Sequence, residues 1–406
     1  MYPQRFQSAL IACRRLLPAK RDEYLFHLSL AMLDVAAAFR GGSLFSSPGE
    51  NSKPLWDSLR CEGQRETMQT VKNTLWISGL VLLLCLTVLV SLTLGKYPVG
   101  LAELGDYLLS LCGAGSLDGE RAALLRNILV EIRLPRILAA LLIGAALSVS
   151  GAAFQSMFIN PLVSPSLLGV LSGASFGAAL GMIVSGDWLV VQVSSFLFGL
   201  LAVLLSVGVA RLYHGDRMLM LLLGGIISGA LFTSLLSVVK YLADPYNQLP
   251  AIVYWLMGGL SMVDIRTVLV VSIPIGLGIL AIIVLSPYLN ILSMGDDEAT
   301  TLGVRVSLIR MTLIFFATLI SALTVVLGGM IGWVGLIVPH IARMLTGPDN
   351  RLLLPVGALL GAIYLVVVDD VSRLIFSVEI PLGIVTSLVG IPFFALVLKN
   401  ARKGWG

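Results

Sequence analysis

The sequence predicts an all-α protein that crosses a membrane about ten times, and three observations carry this. Hydrophobic residues fill 57% of the 406 positions and charged residues 12%, about half the charge of an ordinary soluble chain. Mean hydropathy is +0.95, so 27 Lys and Arg with 23 Asp and Glu could give a water-soluble globule only a thin polar shell. The charges are also absent from long stretches, each near the ~20 residues that a helix needs to cross a bilayer. An ionised side chain at bilayer depth costs about 2.5–3.5 kcal/mol on insertion scales, so charge-free runs mark the spans most directly.

Residues 1–67 stand apart from the rest of the chain. They are charged and hold no apolar run suited to a signal peptide, because Asp34 interrupts the stretch from Leu28 to Phe39. Asp22 to Phe39 reads as an amphipathic helix, and Gly41 to Lys53 as a Gly, Ser and Pro linker. This segment is expected to be an N-terminal appendage on the inner side, or an over-long start, since Met68 directly precedes the first span; the membrane domain then occupies 68–406.

The first span is expected at Asn73 to Gly95. Ile137 to Gly186 holds the second and third, broken at Asn160-Pro161-Leu162-Val163-Ser164-Pro165. Trp188 to Ala210 gives the fourth, Met218 to Val239 the fifth, and Thr267 to Gly295 the sixth with a tail. Met311 to Ala342 is too long for one crossing and too short for two full ones. With Gly328-Gly329 in its middle and Pro339 near its end, it reads as one helix to about Leu327 and a short or bent one to about Leu345. Leu352 to Val368 and Ile380 to Leu398 complete the ten, and an even number puts both termini on one side.

With the N-terminus inside, Lys96, Arg121, Arg126, Arg133 and Arg136 crowd one outer connection, against the usual inward bias of basic residues. That concentration asks for an acidic partner. A net charge of +4 spread over many loops makes no face for nucleic acid. Cys13, Cys61, Cys85 and Cys112 are scattered without CxxC spacing, which excludes a disulfide scaffold. No phosphate-binding GxxxxGK[ST] loop occurs, nor HExxH, and His27, His214 and His340 lie too far apart to suggest a metal site. The chain is therefore not expected to be an enzyme itself, and no catalytic residue or metal ligand is assigned.

Gly169, Gly173, Gly177 and Gly181 recur every four residues, a smooth stripe on which a neighbouring helix backbone can pack; Gly225 with Gly229 and Gly357 with Gly361 repeat the spacing. A secondary transporter or proton pump normally carries ionisable groups within its spans as a relay, and these spans have almost none. A bare-metal permease would want His or Asp along the pathway. The energy is thus expected from outside the chain, received by an inward-facing connection. Met294 to Val304 fits: Asp296, Asp297 and Glu298 stand where a short helix would start and its dipole favours them, and Gly303 stops it.

The run LPRILAALLIGAALSVSGAAFQSMFINPLVSPSLLGVLSGASFG, Leu134 to Gly177, resembles the signature of the FecCD-type permeases of ABC importers for iron-siderophores, haem and cobalamin. MGDDEATTLGV, GGMIGWVGLIVPHIARMLTGPDNRLLLP and EIPLGIVTSLVGIPFFALVL, between Met294 and Leu398, agree with it. The resemblance covers about 68–406 and implies a permease of the cobalamin and iron-chelate importer type. It implies a homodimer with the pathway at its two-fold axis, two separate ATP-binding cassette subunits inside that bind the ATP and Mg, and a substrate-binding protein outside. No cofactor is implied for this chain. The implied setting is a bacterial-type cytoplasmic membrane, with both termini cytoplasmic.

By the same resemblance, Arg133, Arg136 and Arg373 match arginines that meet acidic residues of the binding protein. Gly295, Glu298, Ala299, Leu302 and Gly303 match the coupling helix that sits in a groove of the ATPase, and Asn160 and Leu162 match the inner gate. Gln155, Ser228, Thr233 and Ser237 would line the route. Met218, Leu219 and Met220 replace the small hydroxyl residues found in the cobalamin importer's gate. The substrate expected is therefore an iron chelate, siderophore or haem, with cobalamin as the alternative.

Overall fold

In the computed structural model, residues 55–111, 118–212, 217–375 and 378–401 are described, with side chains over 73–110, 118–212, 218–375 and 378–396. The expected helix at Asp22 to Phe39 and the linker at Gly41 to Lys53 lie outside the described residues, as do Cys13, Cys112, His27 and His214. The chain divides into two units, Met1–Gln69 and Thr70–Gly406, and the second carries the site.

The described elements are helical, as backbone polar groups require where no water can satisfy them. In order they are α1 (Leu55–Thr93), α2 (Leu101–Leu111), α3 (Gly119–Arg126), a π-helical segment (Asn127–Arg133) that runs without interruption into α4 (Leu134–Met157), a 3-10 turn (Pro165–Leu168) and α5 (Val170–Val184). They continue as α6 (Trp188–Leu212), α7 (Arg217–Leu242), α8 (Gln248–Leu256), α9 (Ile265–Val284), α10 (Ser286–Leu292) and α11 (Asp296–Thr301). The last are α12 (Val306–Gly328), α13 (Val334–Thr346), α14 (Asn350–Leu374) and α15 (Leu382–Ala401). Among the described residues seven helices are long and apolar enough to cross a membrane, and α5, α13 and most of α15 are shorter apolar helices. Together these are the ten spans expected, in the expected order. The sequence reading did not resolve α2, α3 or α8, which lie in the connections between spans.

The hub is α4, whose apolar window is 78% buried, with α12 at 72%; α1 is peripheral at 11%. Glycine lets backbones meet there. A Cβ on Gly144 would overlap the Gly361 carbonyl oxygen of α14, and one on Gly361 the Gly144 oxygen, while Gly151 faces the Gly335 oxygen of α13 in the same way. The predicted stripe serves two purposes. Gly173 and Gly177 lie against the Phe198 and Ser194 carbonyls of α6, and Gly181 against the Ser194 hydroxyl. Gly169 instead has φ +80 and ends the 3-10 turn, a left-handed position that suits glycine.

Two ends of the bundle follow from the alternation of spans. The arginine end holds the start of α4, the end of α14 and the α14–α15 turn. The break end holds the 158–169 segment, α10, α11 and the start of α14. There Ser156 donates to Asn350 Oδ1 (2.8 Å), the Asn350 amide donates to Asn290 Oδ1 (2.8 Å), and Asn290 donates to Asp349 (2.6 Å).

Candidate functional site

At the arginine end, Arg133, Arg136 and Arg373 are 3%, 6% and 7% exposed. Arg136 and Arg373 pair with acidic residues of the same chain. Arg136 Nε donates to both oxygens of Asp369 at 2.9 Å, and its Nη1 to Glu379 at 2.9 and 3.1 Å. Arg373 pairs with Asp369 at 3.2 Å and with Asp370, which also accepts from Ser91 of α1 at 2.8 Å. Arg133 donates to the Leu92 and Tyr97 carbonyls, tying the end of α1 to α4. A guanidinium at a helix end inside the bundle needs fixed acceptors, and for Arg136 these stand 233 and 243 positions away in the chain. Of the other basic residues in this connection, Arg126 is exposed and Arg121 pairs with Glu103. The Arg121 guanidinium, then the Gly100 amide, hold the Glu103 carboxyl below the usual glutamate range.

At the break end, Asn160 Oδ1 accepts from the Leu162 amide (2.9 Å), closing a tight polar turn after Ile159, whose φ is +50. Asn160 and Leu162 are exposed. Gln155, expected along the route, is instead 2% exposed; it accepts from Arg343 at 3.2 Å and donates to the Leu336 carbonyl at 3.4 Å, bridging α4 to α13. Ser228 is also buried, donating to the Ala202 carbonyl of α6 at 2.6 Å. Each of these two side chains lies on a helix face turned toward a neighbour. Thr233 and Ser237 are exposed on α7, beside Leu223, Ile226, Ile227, Leu231 and Leu235. His340 of α13 faces Phe393 with ring centroids 6.3 Å apart.

The connection between α9 and α12 holds α10 and the short helix α11, which stands between two glycines of positive φ. Gly295 (φ +120) precedes α11 and the Glu298 carboxylate folds back over it. Ala299 is the buried residue of α11, whereas Glu298, Leu302 and Gly303 are exposed. At the end, the Val304 amide donates to the Ala299 carbonyl (3.1 Å) and the Gly303 amide to Thr300 (2.9 Å), a Schellman cap that requires the φ of +76 at Gly303. The Arg310 guanidinium of α12 grips Asp296 through two bonds, 2.9 and 2.5 Å, a contact the sequence reading missed. An acidic residue 14 positions before a basic one was the available signal, but the turn between them hid its geometry. Among the described residues no group of three or more His, Cys, Asp or Glu is placed to hold a metal.

The FecCD transport family model matches residues 82–400. The molybdate import system permease protein MolB of Haemophilus influenzae is 37% identical over 326 residues, 80% of this chain and 96% of that protein. A Helicobacter pylori protein described as an iron chelatin transport system permease is 37% identical over 286 residues, 70% of this chain and 86% of its own length. The vitamin B12 import system permease protein BtuC of Salmonella typhi is 36% identical over 343 residues, 82% and 98%. Among solved structures, the inward-facing conformation of a transporter described as metal-chelate type aligns with a TM-score of 0.71 at 36% identity, covering 80% of this chain and 98% of that one.

Proposed function

The chain belongs to the FecCD transport family of ABC importer permeases, and from that premise we propose that its cargo is an iron chelate, a siderophore complex or haem. The observation that carries this is the exposed wall of α7. From Met218 to Val239 that helix has no charged residue, and it offers aliphatic side chains with a short belt of hydroxyls at Thr233, Ser234 and Ser237. A bare cation would need fixed oxygen or nitrogen ligands and a small oxyanion fixed donors. A large chelate, whose organic shell already covers its metal, needs only a smooth and weakly polar passage.

In the same reading two copies meet across the α7 faces. ATP-binding subunits with their ATP and Mg sit at the break end, on the cytoplasmic side of a bacterial inner membrane with both chain termini. A binding protein docks at the arginine end, over the buried cluster of Arg133, Arg136 and Arg373, with exposed Arg126 and Lys96 among the charges it meets. Residues 294–304 seat in the ATPase, presenting Glu298 and Leu302, and Asn160 and Leu162 form the inner gate. Residues 1–67 are an appendage to this machinery; the MolB match, which takes 96% of that protein but 80% of this chain, supports that.

The test is uptake into liposomes holding the complete complex, offered ferric hydroxamate, ferric catecholate, haem, cobalamin or molybdate, each with its binding protein. ATP-dependent accumulation of an iron compound is expected. Accumulation of cobalamin or molybdate with no iron compound carried would contradict the cargo while leaving the family intact.

A further inference from the structure

Resting on the reading of 294–304 as the lever, we infer that the Asp296–Arg310 pair is the joint by which the lever moves α12, and that α12 carries the movement across the membrane to α8. The lever has few other holds. Ala299 anchors α11, but Asp297, Glu298, Thr300, Thr301 and Leu302 are all exposed, and glycines with positive φ flank the helix. Against that loose setting the Arg310 fork is fixed: its side chain is 7% exposed while that of Asp296 is 47% exposed. Two parallel charge-assisted bonds of 2.9 and 2.5 Å define the angle between the groups as well as their distance, which a single bond would not. The Arg310 Nε makes no hydrogen bond among the described residues, so Asp296 is the partner that orients the guanidinium.

Arg310 lies in the second turn of α12, and α12 is the natural strut. Its 23 residues reach about 34 Å at 1.5 Å per residue, and most of its length is buried against the hub. At its far end the contact with α8 is backbone to backbone. The Gly259 amide donates to the Gly328 carbonyl at 2.9 Å, and a Cβ on Gly329 would overlap the Trp255 carbonyl oxygen. A Cβ on Gly258 would meet the Met330 oxygen at 2.6 Å. Backbone meets backbone at these points, so in this scheme displacement of α12 is passed to the end of α8. In this scheme Arg310 and Asp296 are positioning residues that touch neither cargo nor nucleotide.

The test is amide hydrogen exchange on the complete complex with its ATPase subunits in lipid nanodiscs, with and without trapping by ATP and vanadate. In the wild type, trapping should change exchange in both Asp296–Thr301 and Gln248–Leu256. In Asp296→Asn and Arg310→Gln the α11 response should persist and the α8 response be lost; Arg310→Lys, which keeps one charged contact, should restore part of it. Asp296→Asn is isosteric, stands at a half-exposed site and keeps one acceptor for Arg310; it should fold with a lowered melting temperature, so it decides the matter if Arg310→Gln does not fold. An α8 response that survives in Asp296→Asn, or is missing from the wild type, overturns the joint. A wild-type α11 that ignores trapping overturns the lever reading itself.

Discussion

Arg136→Glu is expected to abolish recovery of a monodisperse, folded chain in detergent, with Arg136→Lys intermediate. The guanidinium sits between Asp369 and Glu379, each at 2.9 Å. Removing one partner of a buried ion pair costs about 3–5 kcal/mol because the charge left behind is uncompensated. The substitution also places a third carboxylate beside two others. Since most domains are stable by only about 5–15 kcal/mol, that is a large share of the total. Lysine keeps the charge but cannot span both carboxylates as the fork does. The measurement is fluorescence-detected size exclusion with a thermal melt. A variant that melts like the wild type would mean that the cluster is not holding α4 to α14. The same physics bears on docking: loss of binding-protein association in Arg136→Glu would report collapse of the cluster first, so Arg126→Glu is the cleaner probe of a contact with a partner.

Gly361→Leu is expected to be the next most damaging change. Gly144 and Gly361 press their backbones together where α4 crosses α14, so even a Cβ overlaps a carbonyl oxygen, and backbone cannot step aside as a flexible side chain can. Overpacking a close interface typically costs about 1–3 kcal/mol, and more where backbones must separate. Gly276→Leu on α9 is the control, since nothing lies within 4 Å of a Cβ there. The expected result is a lowered melting temperature for Gly361→Leu and an unchanged one for Gly276→Leu; equal melting of both would show that the crossing has slack.

These two sites also show how far the sequence could be read. Charge-free runs locate ten spans because the cost of burying an ion is large and local, and Gly328-Gly329 and Asn160-Pro161 interrupt them visibly. Gly295 and Gly303 bound the lever because a helix start and a left-handed stop each leave a residue signature. Facing is another matter. A helix that is apolar all round has no amphipathic stripe, so nothing in the letters tells that Ser228 turns toward α6 while Thr233 turns outward, or that Gln155 bridges to Arg343. The arginine cluster was hidden for a different reason. Arg136 and Asp369 lie 233 positions apart, and local spacing carries no information about such a pair. Of the five basic residues from Lys96 to Arg136, Arg136 finds its acids at and beyond the end of α14, whereas Arg121 pairs with Glu103 in the same connection. Gly169 shared the four-residue period of its neighbours but serves a turn, since period alone cannot distinguish a packing face from a helix cap.

In the proposed mechanism this chain is a passage without an engine, moved by ATP hydrolysis in another subunit. That mechanism is tested most directly by measuring uptake into sealed liposomes that contain the purified chain alone, the chain with its ATPase subunits and ADP, or the same complex with ATP, each with the binding protein outside. Accumulation only in the third case is the expected result. Concentrative uptake by the chain alone, driven by an ion gradient or by none, would contradict it.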